Sequence, residues 1–230
     1  MLFRSAILTA RRNKRKITQD ELLESVEKVL LGPERKSHML SDKEKNITAV
    51  HEAGHAVVAY LLPNSDPVHK VSIISRGHAA GYTLKLPAED KHLHKKSEFV
   101  DDLAVLLAGH VAEKTYFGEV TTGASNDLKE ATNLARRLIT QFGMSEKLVP
   151  RIYGEKEELV FLGRDLREQR NYSEKVAEEI DAEIDLFIAR AVNTATDLIK
   201  QNKVKIDSLV AVLLEKETIE KDDFEKLMKK

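Results

Sequence analysis

The chain of 230 residues has no cysteine and no tryptophan, aromatic residues make up only 5% of it, and neither charge dominates, 37 Lys+Arg standing against 38 Asp+Glu for a formal net charge of −1. Without cysteine there is no disulfide framework, no thiolate metal site and no cysteine nucleophile, so any metal must be held by His, Asp or Glu. The same absence fits a reducing compartment, and the address expected for this chain is cytoplasmic. A net charge near zero removes bulk attraction to nucleic acid or anionic lipid, so no nucleic-acid partner is expected. The longest strictly apolar run, Ala56 to Leu62, is far short of the roughly 20 residues of a membrane-spanning helix, and no membrane segment is expected. Residues 1–16 do not read as a secretory signal, because Arg4 breaks the apolar stretch and the basic cluster follows it. A phosphate-cradling loop needs Gly, four residues, then Gly-Lys and Ser or Thr. The nearest approach, Gly118-Glu-Val-Thr-Thr-Gly123-Ala124-Ser125, has alanine in place of the lysine.

What is present favours helices. Charged residues reach 33% and hydrophobic ones 42%, a mixture typical of a salt-bridged helical protein rather than a β-sandwich. Thr18-Gln-Asp-Glu21 reads as a capping box, followed at helical spacing by Leu22, Leu23, Val26, Val29 and Leu30, with Gly32-Pro33 as the stop. Ser41-Asp-Lys-Glu44 opens a second helix through Ile47, Val50, Val57 and Leu61, which Pro63 closes. Val68 to Leu86 changes to β-branched, partly alternating runs split at Arg76-Gly77, which predicts a small hairpin or sheet. Helical spacing returns over residues 97–116 and ends at Gly118; another helix follows with Ser125 as its expected N-cap. Residues 147–163 are expected to be loop with one short strand. A long helix over 173–202 and two shorter ones, 206–215 and 222–228, joined by polar turns, complete a mainly α fold with a small β hairpin or sheet. The basic run Arg11 to Lys16 reads as a solvated turn between helices.

The chemistry gathers at His51-Glu52-Ala53-Gly54-His55. Histidines four apart share a helix face one turn apart, so both imidazoles can reach a single zinc. Glu52 lies off the ligand face but near a water-occupied coordination position, where a carboxylate serves as general base in amide hydrolysis. The motif extension that would add a third histidine on the same helix is absent, since Val58 and Leu61 hold the required Gly and His positions. The third ligand must come from elsewhere. The histidines at 38, 69, 78, 92, 94 and 110 and acidic residues near helix starts remain open, Asp127 among them, whose plain alternative is first-turn pairing with the helix dipole.

HEAGHAVVAYLLPNSDPVHKVSII, GYTLKLP, LLAGHVAEKTYFG, TTGASNDLKEATNLARRLITQFGMSEKL and VFLGRDL together resemble the peptidase domain of the FtsH-type, ATP-dependent zinc metalloproteases. The resemblance implies that zinc is the cofactor, that Asp127 is its third ligand beside His51 and His55, and that Glu52 is the base. It further implies a helical zinc metallopeptidase domain over 35–230 and, over 1–34, a helical remnant of the C-terminal end of an AAA ATPase lid. Also implied are a homo-hexamer with inward-facing sites, unfolded or flexible polypeptides as substrates bound along the GYTLKLP strand, and ATP-driven cleavage only where an ATPase module is joined. Full-length members of such a family are membrane-anchored, with the peptidase on the cytoplasmic or organelle matrix side. Ala108-Gly109-His110 departs from the Gly-Gly-Arg usual in that family, which touches local packing but not the zinc set. The alternative function for the same sequence is a non-catalytic, ring-forming module that binds substrate without cutting it.

Overall fold

A computed structural model describes residues 2–30, 32, 41–76, 80–87, 91–154 and 171–229. The expected boundary between residues 34 and 35, the turn at Gly77, the Val160–Leu166 segment, His38 and His78 lie outside the described residues. The elements run α1 (Leu2–Arg11), α2 (Gln19–Leu30), α3 (Asp42–Leu61), β1 (Val68–Ser72), β2 (Tyr82–Lys85), α4 (Lys96–Phe117), α5 (Ser125–Thr140), α6 (Glu174–Gln201), α7 (Lys203–Lys216), β3 (Thr218–Glu220) and α8 (Lys221–Met228). The fold is mainly α with a small antiparallel sheet, as its patterning leads one to expect.

The second capping box forms as read. The Glu44 amide donates to Ser41 Oγ at 3.3 Å, and the Ser41 amide donates to Glu44 Oε2 at 2.8 Å, which pairs two otherwise orphaned amides. At α2 the Thr18 amide and hydroxyl both donate to Glu21 Oε2. The basic run forms a turn tied to α2: Arg12 pairs with Glu21 and Glu24, and Lys14 with Glu21. α4 ends on Gly118, whose φ of 73° closes the helix in the left-handed region.

Two expectations need correction. Ser125 is not an N-cap; it is the first residue of α5, which continues from a 3-10 turn over Thr122–Ala124 that Thr121 caps by accepting from the Gly123 amide. The turn between α7 and α8 is a strand, β3. Residues 147–154 are loop, as expected, and the rest of that stretch, where the short strand was expected, lies outside the described residues.

The sheet order is β2-β1-β3, all antiparallel, with Val71 opposite Thr83 on one side and Ile219 on the other. Side chains alternate between faces. Val71 and Ile219 turn into a core built with α3, α7 and α8, which includes Val57, Leu209, Leu213 and Phe224. A second core gathers Leu103, Leu107, Leu138, Ile139, Ile184 and Phe187 from α4, α5 and α6. α4 therefore lies between the two cores, and its contact with α3 fixes the site described next.

Candidate metal centre

Residues 48–59 of α3 are buried, and small residues let α4 come close. A Cβ on Gly54 would lie 2.6 Å from Ala112 Cβ and 2.9 Å from the Ala108 carbonyl oxygen, so only glycine permits this crossing. Val105, Gly109 and Glu113, spaced by four on α4, form one row facing the α3 histidines. His55 Nδ1 lies 2.7 Å from the Val105 carbonyl oxygen, and His51 Nδ1 lies 2.7 Å from Glu113 Oε1. Both acceptors call for an Nδ1–H donor, so in the neutral imidazoles it is Nε2 that carries the lone pair a metal would take. Glu113 is held in turn by the Thr121 amide, which donates to its Oε2 at 2.6 Å. Gly109 supplies the wall: a Cβ there would sit 2.5 Å from Nε2 of both imidazoles.

Asp127 arrives from the first turn of α5, 76 positions from His51 in sequence. Its Oδ2 is 3.1 Å from His51 Nε2 and 3.4 Å from His55 Nε2, and the two nitrogens are 3.0 Å apart. A tetrahedral ion with bonds of about 2.0–2.1 Å sets its ligand atoms about 3.3 Å apart. The three donors therefore lie close to one face of such a tetrahedron, and their chemistry, two imidazoles and a carboxylate, suits zinc. Among the described residues no other set of three such donors converges.

The charges around this point call for a cation. Burial works against a charged imidazole at His51, but the carboxylates of Asp127 and Glu113 outweigh it and raise its pKa to about 10. Burial pushes the Asp127 carboxyl up, yet hydrogen bonds to His51 and His55 win and hold it below the usual carboxylate range. Glu113 is likewise lowered, the His51 and Thr121 contacts overcoming burial. Glu52 is the exception. Fully enclosed, its carboxyl is raised by burial despite the nearby histidines. The Thr83 hydroxyl on β2 donates to Glu52 Oε2 at 2.8 Å, and Gly81 presses the start of the strand against Glu52, where a Cβ would lie 2.9 Å from Glu52 Cγ.

The structure thus brings His51, Glu52, His55 and Asp127 into one site. The other described histidines stay out of it. His92 and His94 are exposed, His94 paired with Glu98 at 3.0 Å; His69 is half-buried on β1; His110 has a buried Nδ1 with no hydrogen-bond partner among the described residues. Glu113 and Thr83 were missed by sequence reasoning. The signal for Glu113 was a carboxylate four residues after Gly109, following the mostly apolar run Leu103–Ala112; Thr83 carried none.

Comparison with known proteins matches the model of peptidase family M41 over residues 38–227. The chain is 52% identical over 223 residues to ATP-dependent zinc metalloprotease FtsH 1 of Sphaerobacter thermophilus, an alignment covering 97% of this chain and 34% of that protein. It is 47% identical over 225 residues to ATP-dependent zinc metalloprotease FtsH of Thermotoga maritima, covering 97% of this chain and 37% of that protein. With FtsH of Veillonella parvula the figures are 46% over 229 residues, 100% and 36%. The chain spans about a third of the length of these curated relatives. Match and site geometry point the same way: the chain belongs to peptidase family M41.

Proposed function

We propose that this chain is the zinc-dependent endopeptidase part of an ATP-driven protease and that it hydrolyses peptide bonds of unfolded or flexible polypeptides. The observation that carries this reading is the convergence of His51, His55 and Asp127 donor atoms close to a buried carboxylate, Glu52, whose own hydrogen bond is with Thr83 and not with them. In this reading His51, His55 and Asp127 hold the metal, and Glu113 and the Val105 carbonyl fix the ring orientations. When bound, zinc supplies Lewis acidity that acidifies a water and polarises the scissile carbonyl.

Glu52 takes up the proton of the attacking water and passes it to the amide nitrogen as that group leaves. Burial raises its pKa, which makes it a stronger base than an exposed carboxylate. The Thr83 hydroxyl anchors Oε2 and leaves Oε1 to meet the water. β2 pairs with β1 on one side, and in the described sheet its other edge is open. An extended segment can add to that edge through main-chain hydrogen bonds, which supports broad specificity and a requirement that substrate be unfolded.

Residues 1–34 are proposed as the helical end of an ATPase lid and 35–230 as the peptidase domain. The names of the relatives, ATP-dependent zinc metalloproteases, support an ATPase module in the full-length protein; that it is of the AAA type and assembles as a homo-hexamer with the sites facing inward is proposed from the family resemblance alone. No described helix is long and apolar enough to cross a membrane.

The test is cleavage of a loosely structured protein by the purified chain with zinc. Wild type is expected to cut it without ATP dependence. Glu52→Gln is expected to keep its zinc and lose about 100- to 10,000-fold in kcat/KM, the range for a general base. Full activity in Glu52→Gln, or strong ATP stimulation of the chain alone, would overturn the reading.

A further inference from the structure

β2 is gripped on both faces. Thr83 points to the catalytic helix and donates to Glu52. Tyr82, its neighbour, points to the opposite face, where its hydroxyl lies 3.4 Å from Glu27 Oε2 on α2. Glu27 is 1% exposed and is the meeting point of that face: Lys70 Nζ of β1 is 2.6 Å from Oε1, and Arg76 Nη2 is 3.1 Å from Oε2. Arg76, also buried, stacks over the Tyr82 ring at 5.4 Å. Lys70 reaches on to Glu220 of β3 at 2.9 Å, so the cluster touches all three strands.

The join between α2 and the sheet is thus built around a buried carboxylate paired with two cations, beside an open groove that Leu8, Leu23, His69 and Lys221 help to line. A join of this kind differs from an apolar core. Removing one partner leaves an uncompensated buried charge, which is strongly destabilising, while directed ion pairs fix position and register more than they add affinity. The strand that follows Glu27 on one face is the strand that orients Glu52 on the other.

We infer that Glu27, with Lys70, Arg76 and Tyr82, is a positioning cluster that transmits the placement of the α1–α2 helices to β2 and thereby sets how well the strand aligns an extended substrate against Glu52. The inference rests on the proposed peptidase reading for its catalytic readout, but its structural half stands without it. Glu27 touches neither metal ligand nor substrate; it acts through Tyr82 and β2. Movement of α1–α2 by any module joined to it would reach the site by this route.

The experiment uses the full chain, with Glu27→Gln, Lys70→Met and the conservative Glu27→Asp compared with wild type by amide hydrogen exchange, zinc content and steady-state cleavage of an unstructured polypeptide. In Glu27→Gln and Lys70→Met, exchange at residues 82–85 is expected to rise about tenfold, with zinc content unchanged. KM is expected to rise about tenfold, with kcat within about twofold of wild type, the equivalent of about 1.4 kcal/mol of strand alignment. Glu27→Asp should recover part of both effects. Should Glu27→Gln fail to fold, Lys70→Met and Glu27→Asp carry the same comparison. Faster exchange in α2 with unchanged protection at 82–85 would overturn the inference, as would a fall in kcat at unchanged KM. If wild type binds no zinc and cuts nothing, the peptidase reading fails, and the exchange data still decide whether Glu27 holds the strand.

Discussion

At Gly109 the α4 backbone lies directly against Nε2 of both His51 and His55, so Gly109→Ala is a minimal change that should weaken the site. The added methyl would meet both Nε2 atoms at 2.5 Å. Overpacking of this sort costs about 1–3 kcal/mol, and here it falls on ligand geometry; zinc affinity should drop about 10- to 100-fold while the helix content stays the same. Glu113→Gln is gentler: the Nδ1–H of His51 keeps an acceptor but loses the charge, and zinc affinity measured by competition with a chelator should fall by about tenfold, the low end for such orienting partners. The residues themselves were unevenly legible. His51, Glu52 and His55 announce themselves because local helical geometry alone sets their relation. Asp127 could not be found that way, since its distance to His51 depends on how α5 docks after the 3-10 turn, and spacing along the chain carries no such information. Its role came from resemblance, and the structure puts it within reach.

The elements show the same division between local and distant causes. The Ser41 cap, the Gly118 stop and the long α6 are encoded within a few residues and were readable. β3 was not. It is three residues long and exists because β1 offers a partner more than 140 positions earlier, a non-local pairing that no pattern of alternation in Thr218–Glu220 betrays. The start of α5 was misplaced because Ser125 looks like a cap, while Thr121 caps the preceding turn. At α2, the Glu21 carboxyl is held at about 2 by Lys14 and then Thr18, with Arg12 adding to them. A carboxyl lowered in the folded state contributes stability above its ordinary value of about 4.3 that is lost as pH falls toward 2. Glu21→Gln should therefore flatten the acid limb of the stability curve between about pH 4.5 and 2, read by urea unfolding at each pH; an unchanged slope would show that the Lys14 and Thr18 contacts do not hold that proton off.

For the whole molecule, the site sits where three helices from the two cores meet: α3 from one, α4 between them and α5 from the other. Zinc held there ties the cores together, so it should stabilise the fold as well as serve catalysis. Zinc at about 100 times its dissociation constant adds about 2.7 kcal/mol, which for a chain of this size raises Tm by about 5–10 °C; adding a strong chelator should remove that increment, and differential scanning calorimetry would record it. The fold class was legible at this scale because composition and helical spacing recur along the whole chain, whereas the α3–α4 approach was not, because it depends on Gly54 and Gly109 meeting a particular partner helix. The most direct measurement is the zinc content of the purified chain beside that of Asp127→Ala. One zinc per wild-type chain and far less than one per variant chain are expected; full zinc retention by Asp127→Ala would contradict a His51, His55 and Asp127 centre.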